Sequence, residues 1–354
     1  MSLSIGIIGL PNAGKSTLFN ALLKKVQAQT ANYPFTTIEP NIGIVEVPDE
    51  HLLHIASSLS LSRKIPATIK FVDIAGLVKD AHKGEGLGNQ FLARIRECDA
   101  ILEVVRFFKD PNVQGEVNPE ENIKTIQTEL LLKDLEAVNA KIAKSPQSPQ
   151  RAVLERLAEN LNQGKPAREI VSNEKEKEEI KELELLTSKP ILYVANMSEA
   201  QINKQITDNS KQFIFICAKL EADLAELSEA EAREYMAEVG IAESGLNKVI
   251  KEAYKLLSLI TFYTLIPEKP VSTSASLGGQ VQAWPILKNT KAPEAAGKIH
   301  ADFERGFIKA EVINWEELTD IRDWKKAHEQ GKVRLEGKDY TVQDGDVMLF
   351  KFNT

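Results

Sequence analysis

Cysteine is scarce: Cys98 and Cys217 are the two in 354 residues, far apart and outside any C-x-x-C spacing. This excludes a disulfide framework and a structural zinc, and it fits a reducing cytoplasm. Long apolar runs are missing too, since no stretch of about 18 apolar residues occurs and no membrane span is expected. The apolar opening, residues 1–10, has no basic residue and runs straight into Pro-Asn-Ala-Gly-Lys-Ser, so it reads as a buried strand and not as a signal peptide. Positive charge is not in excess. With 44 Lys+Arg against 51 Asp+Glu and a net charge of −7, any nucleic-acid contact would need a local basic patch.

What is present is a composition for a large core, 43% hydrophobic and 27% charged, which excludes a disordered or collagen-like chain. At roughly 100–200 residues per domain the length predicts two or three domains. Short apolar runs at 5–8, 42–47, 68–72, 100–107, 191–195 and 213–217 alternate with helical patterns such as Leu18, Leu22, Leu23 and Val26. They predict an α/β sheet with helices on both faces. Between the strands at 100–107 and 191–195, Ile123, Ile126, Leu130, Leu131, Leu135, Val138 and Ile142 recur at helical spacing. Leu154, Leu157 and Leu161 repeat the pattern after a Ser/Pro turn, predicting an inserted helical hairpin. Past Leu265 the texture predicts a small α+β domain: a strand at 281–287, one helix from Pro293 to Gly306, and strands at 338–342 and 347–352. The expected boundaries are 1–117 with 189–262 for the α/β domain, 118–188 for the insertion and 267–354 for the last domain.

The strongest chemical signal is G-L-P-N-A-G-K-S (9–16), a complete G-x-x-x-x-G-K-[ST] between a predicted strand and a predicted helix. Its glycines let successive N–H groups face a phosphate at a helix N-terminus, so Asn12, Ala13, Gly14, Lys15, Ser16 and Thr17 would wrap the phosphates. Lys15 would reach the β- and γ-phosphates, and Ser16 would bind Mg²⁺. Phe71-Val72-Asp73-Ile74-Ala75-Gly76 ends a later strand, where Asp73 would hold Mg²⁺ through water and the Gly76 N–H would face the γ-phosphate. In the polar loop between them, Thr37 is favoured over Thr36 as a residue closing on Mg²⁺ when γ-phosphate is present.

Base reading falls to Asn196-Met197-Ser198-Glu199 and to Cys217-Ala218-Lys219, each just past a strand. A guanine reader would be N-K-x-D. Met197 in place of the lysine and Glu199 in place of the aspartate weaken guanine selection and open the site to adenine. ATP and GTP therefore both remain as substrates at this point. Leu77 stands where a water-orienting glutamine follows D-x-x-G in Ras-like enzymes, so the water-positioning group must come from elsewhere. His82 in a Gly-rich segment is one candidate and a solvated loop histidine is the alternative. Lys291, Lys298, His300, Arg305 and Lys309 offer either a basic patch or ordinary solvated charge.

With these residues in view, G-L-P-N-A-G-K-S-T-L-F-N (9–20), N-Y-P-F-T-T-I-E-P-N (32–41), D-I-A-G-L-V-K-D-A-H-K-G-E-G-L-G-N-Q-F-L (73–92), N-M-S-E (196–199) and A-G-K-I-H-A-D-F-E-R-G-F-I-K-A-E-V-I (296–313) resemble the YchF/Obg-like ATPase family. The resemblance runs essentially end to end. It implies an Obg-type P-loop NTPase domain, an inserted α-helical coiled-coil arm and a C-terminal α+β TGS domain of ubiquitin-like fold. It also implies ATP hydrolysis, often in preference to GTP, and association with the ribosome (large subunit or 70S), with rRNA and with stress responses. A cytoplasmic monomer with no membrane partner is the separate expectation for the chain. In the family a histidine before Val-Val-Arg is a catalytic candidate; here that position is Glu103. Related P-loops with P-N-x-G-K-S use the asparagine to hold K⁺, which assigns K⁺ to Asn12 as a hypothesis. Equal turnover in Na⁺ and K⁺ would dismiss it. Two functional classes follow: a slow ATPase cycling on the ribosome, and a nucleotide-gated binding module whose hydrolysis is incidental.

Overall fold

The computed structural model describes residues 3–30, 41–74, 89–110, 117–144, 149–171, 173–202, 213–266 and 279–353. Within them the strands are β1 (Ser4–Ile8), β2 (Ile42–Glu46), β3 (Arg63–Ile65), β4 (Thr68–Asp73), β5 (Ala100–Arg106), β6 (Ile191–Asn196), β7 (Phe213–Ile216), β8 (Leu259–Ile266), β9 (Gln280–Leu287), β10 (Phe307–Asn314), β11 (Arg334–Glu336) and β12 (Asp346–Phe352). The chain divides into two compact units, residues 1–45 with 70–256, and residues 46–69 with 257–354.

The first unit is built on a sheet of order β2-β4-β1-β5-β6-β7, in which β1 pairs in parallel with both β4 and β5. Every residue of β1 and β5 is buried, as expected of central strands covered by helices on both faces. The crevice at the carboxyl end of β1, where the connections diverge to either side, is where an open α/β sheet binds its ligand.

The inserted segment forms the expected hairpin, helices Pro119–Lys144 and Pro149–Asn162. Its first helix belongs to two cores. Ile126 and Leu130 pack with Ile74, Leu92 and Ile95 beside the sheet, whereas Val138 packs with Leu154, Leu157 and Leu161. Between them Asp134 is fully buried and accepts hydrogen bonds from Leu186 N (2.8 Å), Thr187 N (2.7 Å) and Thr187 Oγ1 (2.6 Å). That bond set fastens the returning chain, just ahead of β6, to the helix.

The second unit contains the sheet β11-β10-β12-β8-β9-β3. Two expected boundaries change here. Residues 46–69, expected in the nucleotide domain, belong to this unit because β3 pairs in parallel with β9 (Arg63↔Gln280 to Ile65↔Gln282). Helix Glu50–Ser58 is tied in as well: its cap Asp49 accepts from Tyr263 Oη at 3.0 and 2.9 Å, and His51 stacks on Trp315 at 4.1 Å. Residues 257–262 likewise belong here, since β8 pairs along its length with β9. Within the unit, the single helix expected at 293–306 breaks at His300, whose extended backbone (φ −160°, ψ 142°) separates Ala292–Ile299 from Ala301–Arg305. The strand expected at 338–342 is reduced to one bridge, Lys291↔Thr341.

Among the described residues no helix is long and apolar enough to cross a membrane. Of the five basic residues considered for a patch, three have local partners. Lys291 Nζ donates to Asp339 O and Thr341 Oγ1, Arg305 pairs with Asp302, and His300 Nδ1 accepts from Asp302 N.

Candidate nucleotide site

The loop leaving β1 carries three positive φ angles in six residues: Gly9 at +148°, Asn12 at +62° and Gly14 at +97°. This curls the backbone so that its N–H groups converge ahead of helix Lys15–Thr30. At Gly14 both angle and space require glycine, because a Cβ would lie 2.1 Å from Asn196 Nδ2. Gly14→Ala is therefore expected to displace Asn196 and weaken nucleotide binding by roughly tenfold or more, the cost of a broken buried hydrogen bond. Isothermal titration with a non-hydrolysable ATP analogue measures it.

Asn196 joins the two halves of the site. From the end of β6, its Nδ2 donates to Ala13 O at 2.9 Å and its Oδ1 accepts from Ala218 N at 3.0 Å. At 4% exposure its amide ties the glycine-bearing loop after β1 to the residue after β7. Sequence reasoning named the residue and its neighbourhood, but only the fold reveals this bridging role. Met197 and Cys217 are buried, the latter against Leu220 and Leu224, so these positions present backbone and not side chain. Burial pushes the Cys217 thiol pKa up. Glu199 and Lys219 are exposed at the rim.

Lys15 is 6% exposed and donates to Leu10 O at 2.8 Å. Burial lowers its pKa to about 8, partly opposed by the charge of Asp73. That opposition places the Asp73 carboxylate within electrostatic reach of the ammonium, at the end of β4. With the exposed Ser16 hydroxyl at the start of the helix, Asp73 supplies the hard oxygen donors that Mg²⁺ prefers. Among the described residues no group of three or more His, Cys, Asp or Glu side chains gathers to hold a metal alone. Asn12 and Thr17 are exposed, and Ala13 is buried in the loop.

Thr37, Gly76, Leu77 and His82 lie outside the described residues. Glu103 is 1% exposed in β5, flanked across the sheet by Ile8 and Tyr193. The Tyr193 phenol pKa is raised by burial and then by the Glu103 charge, and its hydroxyl accepts from Gln127 Nε2 at 2.9 Å. Glu103 is thus part of the sheet face beneath the long helix.

Comparison with known proteins agrees with this architecture. A family model described as "50S ribosome-binding GTPase" matches residues 4–144, and YchF-GTPase_C, described as "Protein of unknown function (DUF933)", matches residues 273–353. The "Ribosome-binding ATPase YchF" of Bacillus subtilis is 46% identical, with all of both chains covered. The chain belongs to the YchF family. A YchF of the same name from Escherichia coli O157:H7 is 44% identical, again over all of both chains. The solved "Structure of the Schizosaccharomyces pombe YchF GTPase" superposes with a TM-score of 0.87 at 33% identity, covering 99% of this chain and 98% of that one. YchF proteins are thus named as ATPases and as GTPases, the same two substrates that the N-x-x-E sequence leaves open.

Proposed function

We propose that this chain is a ribosome-associated nucleoside triphosphate hydrolase that prefers ATP to GTP and cleaves the β–γ phosphate bond with Mg²⁺ in the cytoplasm. The observation that supports the reading is the Asn196 bridge, which ties the loop after β1 to the residue after β7, the segments that in this reading wrap the phosphates and read the base. Phosphoryl transfer asks of the protein mainly position and charge. The loop amides and Lys15 would hold the β- and γ-phosphates. Ser16 and Asp73 would hold Mg²⁺, joined by Thr37. Bound there, the ion would neutralise phosphate charge, and Gly76 and the exposed Asn12, with K⁺, would be the remaining contributors in this reading. Glu199 at the rim would accept from the base. His82 and Glu103 stay as candidates for orienting water, and burial of Glu103 weighs against it. The ribosome is the partner by kinship with proteins named for binding it, with the large subunit or the 70S particle, and rRNA, as the proposed contact.

The test is a competition titration of non-hydrolysable ATP and GTP analogues with Mg²⁺ and K⁺ on the native chain and on Glu199→Asp. ATP preference that moves toward GTP in the variant is the expected result. Equal or GTP-preferring binding by the native chain would overturn the adenine assignment in favour of an Obg-like GTPase.

A further inference from the structure

Glu199 has a partner that no motif announces. Helix Glu229–Glu238 begins at a capping box in which Ser228 and Glu231 satisfy each other's backbone N–H groups. Ala232 and Met236 pack against the cluster of Cys217, Leu220 and Leu224, so the helix is fixed to the element that follows β7. Tyr235, next to Met236 and 36% exposed, emerges at the edge of that packing. Its hydroxyl donates to Glu199 Oε1 at 3.2 Å. We propose that Tyr235 is a positioning residue for base selection, holding one oxygen of the Glu199 carboxylate so that a single oxygen is presented to the base. This rests on the reading of Asn196 and Glu199 as the base-reading pair.

The argument is one of donor counting. An ionised carboxylate only accepts hydrogen bonds. Guanine offers two adjacent donors on its Watson–Crick edge, N1–H and the N2 amine, and engages a carboxylate best when both oxygens face it. Adenine offers one donor there, the N6 amine, next to the N1 lone pair. With Oε1 turned to the phenol, Oε2 meets the adenine amine and Oε1 is kept from opposing N1. Guanine, facing the same carboxylate, must share Oε1 with the phenol, which already takes one of that oxygen's two acceptor sites and fixes its direction, so one guanine donor is left with the poorer bond. The negative charge of Glu199, and then the hydrogen bond to it, raise the phenol's pKa, so Tyr235 stays a donor at neutral pH. Sequence separation hides the pair, 36 positions apart on a short turn and a different helix.

The experiment measures Kd of the full chain for non-hydrolysable ATP, GTP and ITP analogues in native, Tyr235→Phe and Glu199→Gln forms. Inosine lacks the N2 amine, so the GTP-to-ITP ratio counts the oxygens that Glu199 presents. The native chain is expected to bind the GTP and ITP analogues alike. In Tyr235→Phe the GTP analogue gains roughly three- to tenfold over both ITP and ATP analogues, the size of one hydrogen bond partly open to water. A merely structural loss would weaken all three together. If Tyr235→Phe leaves the ratios unchanged while Glu199→Gln moves them, the role of Tyr235 is refuted and base reading by Glu199 stands. If neither variant moves them, base reading at residues 196–199 fails along with this proposal.

Discussion

Lys15→Ala is expected to lower kcat for nucleotide hydrolysis by about 10²–10³, the size of effect seen when one preorganised donor to a developing oxyanion is removed. The geometry adds a pH signature. Because burial holds the Lys15 pKa at about 8, the ammonium begins to lose its proton just above neutrality. A bound triphosphate favours the charged form and raises that pKa, so nucleotide binding takes up a proton at pH 8 and above. Affinity should then fall as pH rises through 8, by up to tenfold per unit. The sign for folding is opposite. Between about 8 and the ordinary lysine range the unfolded chain holds the proton more tightly than the native one, so the Lys15 contribution to stability improves as pH rises through that window. Titration calorimetry in buffers of different ionisation heat reads the proton uptake directly. Uptake that persists unchanged in Lys15→Ala would assign it to another group.

Asp134→Ala should destabilise the first unit by about 3–5 kcal/mol, because three donors lose their acceptor at a fully buried position. The bonds form a relay: Ala167 N donates to Thr187 Oγ1 at 2.9 Å, and Thr187 Oγ1 donates to Asp134. Removing the carboxylate therefore also leaves the threonine hydroxyl without its fixed orientation. Burial raises the Asp134 pKa while its three hydrogen bonds, from the Thr187 side chain, the Thr187 N–H and the Leu186 N–H, hold it down. With the net shift upward, the native chain binds this proton before the unfolded chain does. The group adds stability as pH falls through its native pKa and plays no part in acid unfolding. Urea denaturation of the native and variant chains gives the difference, and a change under 1 kcal/mol would contradict it.

The placement of the candidate site residues was legible wherever the motif is written in consecutive residues. The phosphate loop, the aspartate ending β4 and the asparagine ending β6 stand at the carboxyl ends of strands that their apolar runs already marked. What escaped was encoded in pairing across long sequence gaps. β3 has three residues, two of them exposed, and its partner lies more than 200 positions away, so no periodicity marks 46–69 as part of the later sheet. The break at His300 escaped because Ala296, Ile299 and Phe303 keep a helical spacing across it, and strand β10 was passed over altogether. Asp134 did leave a trace. It occupies the Ile126, Leu130, Val138 face of its helix, where a charge is out of place unless something buried needs an acceptor.

The long helix that carries Asp134 has a mechanical meaning. Its 26 residues run about 39 Å at 1.5 Å each, without interruption from a core shared with Ile74 to a core shared with Leu157. A rod clamped in two cores has no joint between them. Ile74 follows Asp73 directly, so a shift there reaches Ile126 and Leu130 through packed side chains. From Ile126 to Lys144 the rod extends about 27 Å, and a tilt of about 10° at its root would sweep the far end through about 5 Å. The hairpin is thus built as one stiff lever whose root packs against the residue that follows Asp73.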